Sequence, residues 1–174
     1  MADLNVTAKR VHELEGGFQR WRSDKGNYYK GVLIGTNKGV TPAAYLKAFG
    51  KVPTVKDMKG LTYEQYLYVF RTQYWPKWRG EEIVNQQVAD IVVDWFFNSG
   101  AWGIRIPQRI LGLKEDGIVG PKTIAAVNAQ DPKRFFAQVV EARAKFFRNI
   151  VKNNASQAVF LDGWLNRLNT FKWV

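Results

Sequence analysis

Apolar positions along the 174-residue chain fall mainly in a helical rhythm, clearest between Glu82 and Asn98. There Val88, Ile91, Val92, Trp95 and Phe96 recur at i, i+3, i+4, i+7 and i+8, one face of an amphipathic helix that Gly100 ends. Residues 132 to 152 repeat the pattern over a longer stretch, with Phe135, Val139, Ala142, Phe146 and Ile150 on one side. Punctuation residues bracket the other helices. Thr7 is placed to cap a first helix running to Leu14, before the stop at Gly16-Gly17. Thr41-Pro42 reads as the cap and first residue of a helix that covers Ala43 to Phe49. Thr62 opens a helix through Tyr74, stopped by Pro76. Shorter helices are expected from Pro107 to Leu111 and from Pro121, with a turn at Asp116-Gly117 between them, and a last helix over roughly residues 157 to 170.

Residues 18 to 60 break the rhythm. Gly26, Gly31, Gly35, Gly39, Gly50 and Gly60 interrupt them, and the run from Gly31 through Val32, Leu33 and Ile34 to Gly35 suits a small hairpin or irregular lobe. The pattern therefore predicts a mainly α protein with one Gly-rich insert near the N-terminus and no internal repeat.

Composition narrows the chemistry. The chain has no cysteine, which excludes thiol catalysis and a disulfide framework. Its one histidine, His12, excludes a His-rich metal site, and a Ser-His-Asp triad would have to use that residue. His12-Glu13-Leu14-Glu15 lacks the second histidine of a zinc-protease helix, because position 16 is Gly. No metal and no organic cofactor are expected. The first residues carry no basic stretch followed by an apolar one, so no signal peptide is visible, and no apolar run has the length of a membrane span. A net charge of +11 suits polyanionic partners: nucleic acid, anionic lipid or the acidic polymers of a bacterial wall. The basic residues are dispersed and no zinc-finger, RNP or helix-turn-helix pattern accompanies them, so nucleic acid is not expected as a partner. Seven Trp and seven Tyr supply flat faces on which sugar rings can stack.

Two carboxylates stand out by position. Glu15 lies at the C-terminal end of the first helix, where the negative end of the dipole disfavours an ionised side chain, a setting suited to a proton donor. The glycines after it leave room for a substrate, although Gly-Gly is also an ordinary helix stop. Asp24 follows in a loop, and a glycosidase needs such a second carboxylate to activate water or stabilise the developing cation. By local pattern alone it is equally an Asp in a turn. Asp90, Asp94 and Asn98 share a face of an otherwise apolar helix.

Taken in order, these segments resemble glycoside hydrolase family 108, N-acetylmuramidases with an attached peptidoglycan-binding-like segment, among them phage-type endolysins and proteins labelled secretion activators. The resemblance rests on Glu15-Gly16-Gly17, on Gly35-Thr36 with Gly39-Val40-Thr41, on Tyr74-Trp75, and on Asp94 with Asn98-Ser99-Gly100. It continues through Gln108 with Leu111-Gly112, Asp116 to Thr123, Arg143 with Phe146-Phe147, and Gly163-Trp164 with Asn166-Arg167. One departure is the stretch from Asn27 to Leu33, inserted between Asp24 and Gly35-Thr36. The resemblance implies a lysozyme-like helical fold, with a catalytic lobe over residues 1–101 and a peptidoglycan-binding-like segment over 102–174 packed on it. It implies Glu15 as general acid, Asp24 as the second catalytic carboxylate, and Thr36, Thr41, Tyr74, Trp75, Asp94 and Asn98 as substrate-binding residues. The phage-type lysozyme pattern puts a water-holding Thr shortly after the Asp, and with the inserted stretch between, the part falls to Thr36, to Thr41 or to neither. The implied substrate is bacterial peptidoglycan, cut by a monomer made in the cytoplasm and acting at the cell wall or periplasm after release or export. A lytic transglycosylase on the same bond, and a non-catalytic wall-binding or secretion-accessory protein, are the alternative readings.

Overall fold

A computed structural model describes residues 1–174, and its chain contacts group them into two units, Leu4–Pro76 and Lys77–Val174 with Met1–Asp3. Nine α-helices and one two-stranded hairpin near the N-terminus make the protein mainly α, as the apolar rhythm predicts.

In the unit Leu4–Pro76, helix α1 spans Leu4–Leu14. It starts before the expected cap: Thr7 lies inside it, wholly buried, and the N–H of Glu15 still bonds the Val11 carbonyl at 3.1 Å. Strands β1 (Tyr28–Tyr29) and β2 (Val32–Leu33) pair antiparallel, Tyr28 opposite Leu33. Lys30 and Gly31 turn the chain between them with φ of 45° and 81°, the doubly left-handed turn whose twist matches a two-residue hairpin. Helix α2 (Pro42–Phe49) is bounded as expected, with the Thr41 side chain accepting from the Ala44 N–H and Gly50 left-handed at its end.

Helix α3 (Val55–Lys59) was not legible as a period, being five residues long. A capping box between Thr54 and Asp57 forms it. Thr62 and Gln65 cap α4 (Tyr63–Val69) in the same way. The single helix expected through Tyr74 changes pitch here, because Phe70–Tyr74 is π-helical. Tyr66 sends its hydroxyl back to the Ala8 carbonyl of α1 at 3.0 Å, and the His12 ring meets Tyr66 and Tyr63 edge-on.

The other unit is built on α5 (Gln86–Ser99), capped by Asn85, in which every residue from Val88 to Trp95 is buried. Helix α6 spans Trp102–Ile110, so it begins five residues before the expected start, and Pro107 lies within it rather than at its first position. Gly103 explains how closely α6 approaches α5: a Cβ there would lie 2.4 Å from the Phe96 nitrogen. Helix α7 (Pro121–Asn128) precedes α8 (Pro132–Asn153), which Asp131 caps and which packs on α5 and on α9 (Ala158–Asn169). The Asp116-Gly117 turn is held by Gln108 of α6, whose amide donates to Asp116 and to the Ile118 carbonyl and accepts from the Gly117 N–H.

Candidate active site

Glu15 emerges at the last turn of α1, half-buried, ahead of two exposed glycines. A Cβ added at Gly16 or Gly17 would meet nothing within 4 Å, so the approach to this end of the helix is open. The bare negative helix end assumed from the sequence is not what the chain builds. Lys38, itself left-handed at φ 49°, brings its ammonium to the carbonyls of His12 at 3.3 Å and Glu15 at 3.0 Å. The same ammonium, second to burial, holds the His12 imidazole below its ordinary value, with Glu13 acting in the opposite sense.

Tyr74 lies close enough to Glu15 to feel its charge. Burial, and after it the Glu15 carboxylate, push the Tyr74 phenol above its usual value, so it stays a protonated donor through the neutral range. The π-helical turn carries Tyr74 to this place at the end of the α4 stretch.

Beyond the glycines the chain runs back as an extended segment. Gln19 and Thr36 exchange both backbone hydrogen bonds, at 2.8 and 2.9 Å. Gly35 allows this approach, having φ of 112° and leaving only 2.6 Å between a would-be Cβ and the Phe18 ring. Gln19 then organises the loop. Its side-chain oxygen accepts from Asn27 Nδ2 at 2.7 Å and from the Trp21 N–H at 3.1 Å, and its nitrogen donates to Asp24 Oδ2 at 2.9 Å. The other Asp24 oxygen takes the Gly26 N–H at 2.8 Å. Asp24 is thus exposed to solvent yet held in one orientation. The inserted stretch forms the hairpin, which clamps this loop. Arg20 donates to the Leu33 carbonyl at 2.8 Å, and the Tyr28 hydroxyl donates to the Arg22 carbonyl at 3.0 Å.

The remaining candidates divide. The Thr41 hydroxyl is engaged as the cap of α2, whereas the buried Thr36 hydroxyl has no partner within the protein. Trp75 is 4% exposed and belongs to the core rather than to a binding face. Asp94 is fully buried in the other unit and does not present its carboxylate to a ligand. It sits between Arg143, at 2.8 Å, and Arg167, at 2.7 Å. Burial favours the neutral acid, but the two guanidiniums outweigh it and hold Asp94 below the usual carboxylate range. Arg143 meets Asp94 as an ion pair off the ideal hydrogen-bond angle, and its guanidinium lies against the rings of Trp95, Phe147 and Phe171. Asn98, on the same helix, is exposed. Gln19 and Lys38 escaped the sequence reading, since a side chain that bonds a loop has no period or fixed spacing to reveal it. No three His, Asp or Glu side chains lie close enough together to hold a metal ion.

Residues 8–100 match the family described as glycosyl hydrolase 108, and residues 102–169 match the "Predicted Peptidoglycan domain". Among solved structures the chain is similar to that of Brucella abortus SagA, at 26% identity and a TM-score of 0.77, over 97% of this chain and 90% of that one. No curated protein matches. Fold and matched segments together define a lysozyme-like glycoside hydrolase directed at peptidoglycan. With just over half of its length within the family's profile, the chain belongs to glycosyl hydrolase family 108.

Proposed function

We propose that the protein is a muramidase, hydrolysing the β-1,4 bond between N-acetylmuramic acid and N-acetylglucosamine. Glu15 protonates the glycosidic oxygen as the bond breaks, and Asp24 activates water or stabilises the oxocarbenium-like transition state. Neither Thr36, whose hydroxyl is buried, nor Thr41, which accepts in a helix cap but keeps its own proton to donate, is singled out as the group that positions the water. The observation that carries the reading is the setting of Glu15. Its half-buried carboxylate stands beside a protonated Tyr74 phenol, at an open helix end, in the unit that also holds Asp24.

Mass analysis of purified peptidoglycan after digestion tests substrate, bond and residue together. Wild type should release muropeptides with reducing muramic acid ends, and Glu15→Gln should cut the rate by about 10²-fold or more, the scale of a lost general acid. Retention of most activity by Glu15→Gln removes that residue from the mechanism. Products with 1,6-anhydro ends would make the enzyme a lytic transglycosylase, and an inert wild type would leave a wall-binding role.

A further inference from the structure

Seven tryptophans stand in the chain, and one of them sits where folding gains little from it. Trp21 is 70% exposed, the most open of the seven, and no other ring packs against its indole. Its backbone is nevertheless fixed from several sides. The Trp21 N–H donates to the Gln19 side-chain oxygen at 3.1 Å, and its carbonyl accepts from Asn27 Nδ2 at 3.0 Å and the Asp24 N–H at 3.2 Å. The hairpin clamps the residues on either side, Arg20 through Leu33 and Arg22 through Tyr28. A large apolar ring left in water adds nothing to stability, because burial is what makes an indole stabilising. On a fixed loop it is a face for a ligand, since the backbone that carries it need not be ordered on binding.

Asp24 sets where that face lies. The bond from its N–H to the Trp21 carbonyl closes a four-residue turn, which brings the two α-carbons within about 7 Å. Gln19 binds both ends of the turn, the Trp21 N–H with its oxygen and Asp24 Oδ2 with its nitrogen. One amide therefore fixes the backbone under the indole and the carboxylate together. Two cations share the loop. Arg22 and Lys25 are exposed, and neither side chain makes an ion pair or hydrogen bond within the protein. Asp24, the one carboxylate of the loop, is already engaged by Gln19 and Gly26. A flat apolar ring beside two unpaired cations suits a sugar that bears an acidic group, and offers a neutral sugar the ring alone. The hairpin that clamps this turn is the stretch inserted into the family's pattern, so the clamp is no part of the motif that marks the family.

We propose that Trp21 is a substrate platform beside Asp24: one sugar ring stacks on its indole, and Arg22 and Lys25 take a carboxylate borne by that sugar. The enzyme thereby selects an acidic glycan over a neutral one of the same linkage. In peptidoglycan the carboxylate has two sources, the lactyl arm of a muramic acid stripped of its stem and the stem peptide itself. The proposal rests on the reading of this unit as acting on the peptidoglycan glycan, but not on Glu15 as the acid.

Calorimetric titration of the full-length Glu15→Gln protein with short glycan strands tests it without turnover. Three strands separate the contributions: stem-bearing, stripped of stems by an amidase, and stripped with the lactyl carboxylates converted to methylamides. Trp21→Ala should weaken binding to all three roughly threefold to tenfold, the scale of one stacking contact, and Trp21→Tyr should restore most of it. Arg22→Gln and Lys25→Gln should each weaken binding about twofold to fivefold on a strand that keeps its carboxylate, and have no effect on the methylamide. Whichever charged strand shows that loss names the source. Lys56→Gln, the same change of charge on an exposed residue elsewhere in the unit, should leave binding unaltered. With Glu15 restored, the changes at Trp21, Arg22 and Lys25 should raise KM and leave kcat within about twofold, the mark of lost substrate binding. An affinity unchanged in Trp21→Ala, a cation effect that persists on the methylamide, or an equal loss in Lys56→Gln overturns the proposal. A loss confined to kcat does the same, since it would make Trp21 a support for Asp24 rather than for the sugar. Strands that bind through Trp21 yet are never cut by wild type would sink the muramidase reading and leave the platform standing.

Discussion

The two units hold themselves together by different means. The unit Leu4–Pro76 relies on short elements whose ends are tied by side chains: Thr41, Thr54 and Thr62 as caps, Gln19 and Lys38 as cross-links, and a hairpin closed by a left-handed pair. It carries twelve Lys and Arg against five Asp and Glu. The unit Lys77–Val174 relies on longer helices packed at close range and on one buried ion cluster, Asp94 with Arg143 and Arg167. Fourteen basic side chains meet ten acidic ones in that unit, counting Asp3. The proposed chemistry lies in the first kind of architecture, where many separate hydrogen bonds can each set one reacting group. The second kind encloses its charges within packed apolar helix faces, where losing one member of the cluster leaves the others buried without a counter-charge.

The sharpest way to break this contrast is Asp94→Ala. It leaves two guanidiniums in a low-dielectric interior without their counter-charge and should cost about 3–5 kcal/mol, read as a shifted midpoint in urea unfolding. A variant within 1 kcal/mol or so of wild type would show that the cluster is not an anchor. Gly103→Ala comes next. Its methyl would meet the backbone of Trp95 and Phe96 at 2.4–2.6 Å, where no side chain can swing aside, and a loss of about 1–3 kcal/mol is expected. In the other unit, Thr62→Ala removes one cap and should cost only about 1 kcal/mol, checked by the same unfolding midpoint.

The smallest effect at working pH appears only in acid. The Asp94 carboxyl is held below its ordinary 3.8, so its contribution is complete above that pH and is lost as the pH falls through the lower folded value. Wild type should therefore lose stability steeply below about pH 4. The loss should be shallower in Asp94→Asn, which has no such proton to take up. Equal slopes for the two proteins would assign acid lability elsewhere.

Much of this was legible in advance wherever a pattern repeats or a cap has a fixed offset. Helix α8 and the apolar face of α5 follow from their spacing, and α2 from Thr41, Pro42 and Gly50. The start of α6 did not, because Pro107 invites a helix to begin where this one is already a full turn along. Asp94 drew attention as a carboxylate on an apolar helix, yet its partners are remote in sequence, Arg167 lying 73 residues further on. Three pieces of the family resemblance, those around Asp94, Arg143 and Arg167, thus meet in one ion cluster whose evident work is structural. At the candidate site Glu15 and Asp24 were named by motif. The groups that orient the site, Gln19 and Lys38, depend on how a loop closes, and neither period nor composition reports that.

Lys38 also ties two distant stretches of the first unit together. Its own backbone lies two residues from Thr36, while its ammonium grips the carbonyl of Glu15. The end of the opening helix and the segment after the hairpin thus share a tether, and loosening one removes a support from the other.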